Sequence, residues 1–230
     1  MKRQSYETRM GRAGGALTGV LILSALWAPP ADGQGIDTGR SGPREVLDRN
    51  TEVALALSAA PADVSADATV LVWTGEGFDA AREGSSGVTC YVARSWPESL
   101  EPHCFDEEGS TTILPIHMRQ MELWHAGQTK EEIDAEIADG LHSGLFRLPS
   151  RPAMSYMMSE GQELIGDDGS PAGNWEPHLM IYFPWMTQEG LGLGEMPSMD
   201  AAMVVDPGTP FSNIMIVVGD HVPVGTTASR

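Results

Sequence analysis

The chain has 230 residues, 41% of them hydrophobic, and its 32 acidic residues against 14 basic ones give a formal charge of −18. That length suits one domain able to bury a core of useful size. A field of this sign repels phosphate backbones and anionic headgroups, which excludes nucleic-acid binding and leaves no reason to expect membrane insertion of the mature chain.

The first 33 residues read as a signal peptide. Lys2, Arg3, Arg9 and Arg12 make a basic start, and "ALTGVLILSALWA" is an uncharged apolar run too short to span a bilayer comfortably. "ADG" (Ala31 to Gly33) supplies small residues for cleavage before Gln34. An uncleaved membrane anchor is the competing reading. Export to a periplasm or beyond the cell follows from the first reading, and cleavage leaves 10 basic against 30 acidic residues. Residues 34–42, "QGIDTGRSG", are a Gly-rich leader with nothing to bury, and a single domain is expected over 43–219 with a tail over 220–230.

Pro43 and Pro61 bracket a helix expected over about 44–58, with Val46, Leu47, Val53, Leu55 and Leu57 on its apolar face. "ATVLVW", "FDAAR" and "VTCYVARSW" are short β-type runs separated by turn material. "PESLEPHCFDEEG" reads as a loop that doubles back. Cys90 and Cys104 are the only cysteines, and an even pair in an exported chain reads as a disulfide pinning that loop to the third strand. "PIHMRQMELWHAG" is a helix opening at Pro115 and closing at Gly127. "TKEEIDAEIADGL" has Thr129 and Glu132 at capping-box spacing, with Ile133, Ile137 and Leu141 facing the core. Strands return at about 153–165, 178–184, 202–206 and 213–218. Without βα alternation, the order predicts an α+β domain with a largely antiparallel sheet of about six or seven strands, an N-terminal helix and a central helix pair.

"LALSAAPADVSADATVLV", "GVTCYVARSW", "AMSYMMS" and "WEPHLMIYFP" resemble segments of a group of uncharacterised exported bacterial proteins. The resemblance covers most of the mature chain and implies a single-domain exported protein. It brings no activity, cofactor or catalytic residue with it.

One sheet face attracts suspicion. Strand alternation puts His178, Met180 and Tyr182 together, and pairing with "MSYMMS" would add Met154, Tyr156 and Met158 to them. On the helix at 115–127, His117, Met121 and His125 fall within an arc of ~80°. Imidazole and thioether suit copper(I) and haem iron, while methionine also fills irregular core gaps without any ligand. The expected ligand set is therefore His178, Met180, Tyr156 and Met158 on the sheet, with His117, Met121 and His125 opposite. Its first reading is a binding module for a small apolar ligand or a soft metal. A hydrolase-type enzyme is the alternative, with His178 as general base and Glu176 as its orienter. A structural or interaction protein without a pocket is the third. No metal-binding, nucleotide-binding or nucleophile-elbow motif is present to name a cofactor or a reaction.

Overall fold

The computed structural model describes residues 46–94, 99–166, 170–192 and 202–225, which belong to one compact unit. The expected signal peptide, the leader and residues 226–230 of the tail lie outside the described residues.

Two short helices open the described chain, α1 (Arg49–Leu57) and α2 (Ala62–Ser65). The Asp48 carboxylate accepts from the amides of Asn50 and Thr51, so α1 starts at a side-chain cap rather than at the proline. Four strands follow: β1 (Thr69–Trp73), β2 (Phe78–Arg82), β3 (Thr89–Ala93) and β4 (Glu101–Phe105). Two longer helices come next, α3 (Glu107–His125) and α4 (Lys130–Ser143). The remainder is β5 (Ala153–Met157), β6 (Leu164–Ile165), β7 (Pro171–Gly173), β8 (His178–Tyr182), β9 (Met203–Val205) and β10 (Asn213–Val217).

Eight strands form one sheet in the order β2-β1-β3-β4-β5-β8-β10-β9, and β6 and β7 make a separate two-stranded ribbon. Only the β1–β3 pairing in the large sheet is parallel. The α+β class with a mostly antiparallel sheet therefore holds, with a larger sheet than the sequence suggests.

Three expectations are corrected. The stretch read as a loop contains β4, paired with β3 along its whole length. Pro102 argued against a strand, because proline cannot donate to a ladder. Cys90 and Cys104 face each other with their Cα atoms 4.0 Å apart, the close spacing of a non-hydrogen-bonded pair. Val92 and Pro102, two residues along, share that parity, so the missing N–H is one that would point away from β3. On that other side, β4 pairs with β5 only at Cys104 and Phe105. The second correction concerns α3, which begins two turns before Pro115, at the Asp106 cap whose carboxylate accepts from the Gly109 amide at 2.7 Å. Glu107 and Glu108 in the first turn complement the positive helix end, and the proline costs the helix one internal bond. Third, the single long strand expected over 153–165 is β5, a turn and then β6.

Alternation divides the sheet into two core faces. Val70, Cys90, Val92, Cys104 and Tyr156 pack with Leu55 and Ala56 of α1. Trp73, Tyr91, Phe105, Ala153 and Tyr182 pack with Ile113, Leu114 and Met121 of α3. A third cluster, Ile116, Leu123, Ile133 and Ile137, joins α3 to α4. The α4 capping box and the inward Ile133 and Ile137 are as the spacing predicts, and Gly144 ends the helix at φ 79°, a conformation that favours glycine. The Cys90–Cys104 disulfide lies on the α1 face as a cross-strand bridge. Closing a loop of this size stabilises the fold by about 3 kcal/mol on the chain-entropy account. Among the described residues, no helix is long and apolar enough to cross a membrane.

Candidate functional site: a methionine- and histidine-lined cavity

The strand register builds the floor of a cavity on the α3 face. Three cross-strand rows run across it: Met157, His178 and Val217; then Ser155, Met180, Met215 and Met203; then Ala153, Tyr182, Asn213 and Val205. Directly opposed side chains on one face have Cβ atoms about 5 Å apart. The second row therefore places three thioethers side by side, with His178 and Met157 next to them.

α3 packs over β3, β4 and β5, and supplies His117, Gln120, Met121 and Trp124 to one wall. These positions recur at helical spacing, so one stripe of α3 looks into the space. Lys130, Ile133 and Asp134 of α4 add to the wall, and Trp175, Asp206 and Phe211 come from connecting segments. The cavity is partly open to solvent and has a volume of about 710 Å³.

Hydrogen bonds fix the imidazoles. The Tyr91 hydroxyl and His117 Nδ1 are bonded at 3.0 Å, and His103 Nδ1 bonds to the Ser155 hydroxyl at 2.9 Å. His178 Nδ1 donates to the backbone carbonyl of Glu176 at 2.7 Å. That bond assigns the His178 proton to Nδ1 and leaves Nε2 as the ring's lone-pair atom. His103 and His117 stand edge to face, 5.8 Å between ring centres. Burial lowers the basicity of all three rings, with His117 at about 4 and His103 well below its usual value, so each is neutral near pH 7. Burial also raises the Tyr91 and Tyr182 hydroxyls, and the negative charge of Glu101 reinforces both shifts.

Four of the expected ligand-set residues line this cavity: His178, Met180, His117 and Met121. Met121 is not free to serve as a thioether donor in this arrangement, because its sulfur accepts the Arg94 amide at 3.3 Å. Tyr156 is a correction. It pairs with Leu179, on the opposite face from His178, and packs in the α1 core. Met154 pairs with Ile181 and shares that parity. Met158 also leaves the set: its backbone joins Ala59 and Val222, and its side chain is not among the cavity walls. The face-mates of His178 on β5 are Met157, Ser155 and Ala153, the parity opposite to the expected Met154, Tyr156 and Met158. His125 is the last correction. Its ring lies 4.6 Å from that of Trp73, outside the cavity lining, and neither of its ring nitrogens has a hydrogen-bond partner among the described residues.

The Glu176 assignment fails in its chemical detail. The oxygen that orients His178 is the main-chain carbonyl, and Glu176 itself is exposed. His178 is only 3% exposed, which does not suit a base working on a substrate in an open cleft.

Sequence reasoning missed Tyr91, His103, Met157, Met203 and Met215 as cavity residues, while Tyr182 lines the cavity beside His178 and Met180 as strand alternation predicts. A signal for His103 existed. Once Cys90 and Cys104 are placed opposite each other, alternation in "EPHCF" sends His103 and Phe105 to the face away from the disulfide.

No protein-family model matches the chain, and no curated protein or solved structure is significantly similar to it.

Proposed function

We propose that this chain is an exported binding module that holds a small, largely apolar ligand between the sheet and the α3–α4 pair. The observation that carries the reading is the cavity: at about 710 Å³ it has the volume of a small-molecule site. Its methionine-rich floor suits an adaptable fit, since thioether side chains repack around different shapes at low cost. Three neutral imidazoles and two tyrosines offer a few fixed polar groups to orient the guest.

Met180 provides the test. It sits mid-floor, between Ser155 and Met215, and is only partly buried. A larger side chain there can grow into empty space rather than into packed core. Met180→Trp is expected to weaken binding of the neutral dye N-phenyl-1-naphthylamine at least tenfold, with little change in Tm. Unchanged affinity in a folded variant would remove the cavity as the binding site.

One observation favours a second occupant, a soft metal such as copper(I). Met180, Met215 and Met203 form a continuous cross-strand row beside His178, whose Nδ1–H is held by a carbonyl in the manner of many metal-ligating histidines. Among the described residues, no group of three His, Cys, Asp or Glu side chains is placed to hold a metal ion, so any such site would rest on thioethers. Stoichiometric copper in protein purified from its native compartment would favour this occupant over an organic one.

A further inference from the structure

The cavity's charges are distributed unevenly. Two cations line it, Arg94 and Lys130, and each has a carboxylate partner. Arg94 is held by both oxygens of Glu52, at 3.0 and 2.8 Å, behind the wall. Lys130 is bonded to Asp134 and also stands in the field of Asp206. Asp206 lines the cavity from an exposed position, and its charge adds a minor part to the burial that raises the Tyr182 hydroxyl. The imidazoles do not offset this excess, because burial keeps them uncharged near neutral pH.

Around this acid-biased space stand the aromatic side chains of Tyr91, Trp124, Trp175, Tyr182 and Phe211. Ring faces attract cations, most strongly where water is excluded, and apolar walls reward a guest whose charge is spread over a hydrophobic body. A compact metal-like or strongly hydrated ammonium ion would gain less from walls of this kind. An anion would meet carboxylates with every lining cation already partnered.

Resting on the binding-module reading above, we propose that the cavity selects lipophilic organic cations, taking a delocalised or shielded positive charge between its aromatic walls and the Asp206 carboxylate. The acidity of the whole chain acts in the same direction by raising the local concentration of cations.

Tetraphenylphosphonium and tetraphenylborate have nearly the same shape and opposite charge, so the pair isolates the sign of the guest. Calorimetric titration of the full chain at pH 7.5 is expected to show tetraphenylphosphonium binding at least tenfold tighter than tetraphenylborate, with the preference shrinking as salt is raised. Asp206→Asn should weaken tetraphenylphosphonium two- to fivefold, a larger loss than it causes for the neutral N-phenyl-1-naphthylamine in the same cavity. Asn suits the left-handed backbone at this position, φ 50°, so the variant retains the turn. Equal or tighter binding of tetraphenylborate would overturn the cation inference and leave the cavity reading standing, as would binding of the neutral dye alone. If none of the three probes bound, both readings would fall together.

Discussion

Glu52→Gln is expected to destabilise the fold by about 3–5 kcal/mol. Glu52 and Arg94 are enclosed at 0% and 1% exposure and meet in a two-pronged ion pair. The same carboxylate accepts the Trp73 amide at 2.8 Å, so one side chain of α1 fastens the helix to β1 and to the end of β3. Glutamine keeps the shape but leaves a buried guanidinium without its counter-charge. Arg94→Met leaves the converse, a buried carboxylate with only the Trp73 amide as a partner. The double variant Glu52→Leu/Arg94→Met removes both charges and should cost less than either single change, although the Trp73 amide loses its acceptor at about 1–3 kcal/mol. Urea unfolding of the four proteins measures this directly. A double variant as damaged as the two singles combined would show that the pair is not acting as a unit.

Acid should unfold the protein through its neutral histidines. Burial lowers His117 from 6.5 to about 4, so the unfolded chain takes up a proton at a pH where the folded chain does not. Unfolding therefore consumes a proton between those two values, and stability must fall as pH drops through that window. The His117 contribution is intact above about pH 6.5 and exhausted below about pH 4, and amounts to about 3 kcal/mol. His103 and His178 are displaced in the same direction by burial and add to the slope. His117→Gln, which does not titrate, should lose about 3 kcal/mol less than the parent between pH 7 and pH 4 in urea titrations. An identical pH dependence in the two proteins would mean that His117 is not desolvated as its place on the inward face of α3 requires. The paired measurement cancels the carboxylates that titrate over the same range.

How much of this was legible follows from which interactions are local. Caps and helical stripes are short-range, so the Thr129 and Glu132 box and the Ile133 and Ile137 stripe were readable from spacing. The disulfide was readable from the even cysteine pair and the expected export, but the strand pairing that places Cys90 opposite Cys104 was hidden behind Pro102. The start of α3 was hidden because proline looked like a beginning, whereas Asp106 and the two glutamates behind it are the stronger signal. Most consequential was the register of β5 against β8. The connection between them folds into its own ribbon, β6–β7, so its length does not fix the pairing. "AMSYM" offers no polar face to choose either, since methionine occurs at both parities. A one-residue slip exchanges every side chain between the two faces. That is why Met157 and Ser155, rather than Tyr156 and Met158, join His178. The Glu52–Arg94 pair was invisible for a different reason: its members are 42 positions apart and neither lies in a motif.

Methyl-labelled methionine reports most directly on whether the α3-side cavity receives a ligand. In the ¹³C-methyl spectrum, titration with N-phenyl-1-naphthylamine should shift Met157, Met180, Met203 and Met215, which line the cavity, and leave Met154 and Met158 in place. Shifts confined to Met154 and Met158, or a spectrum unmoved by saturating dye, would contradict the account.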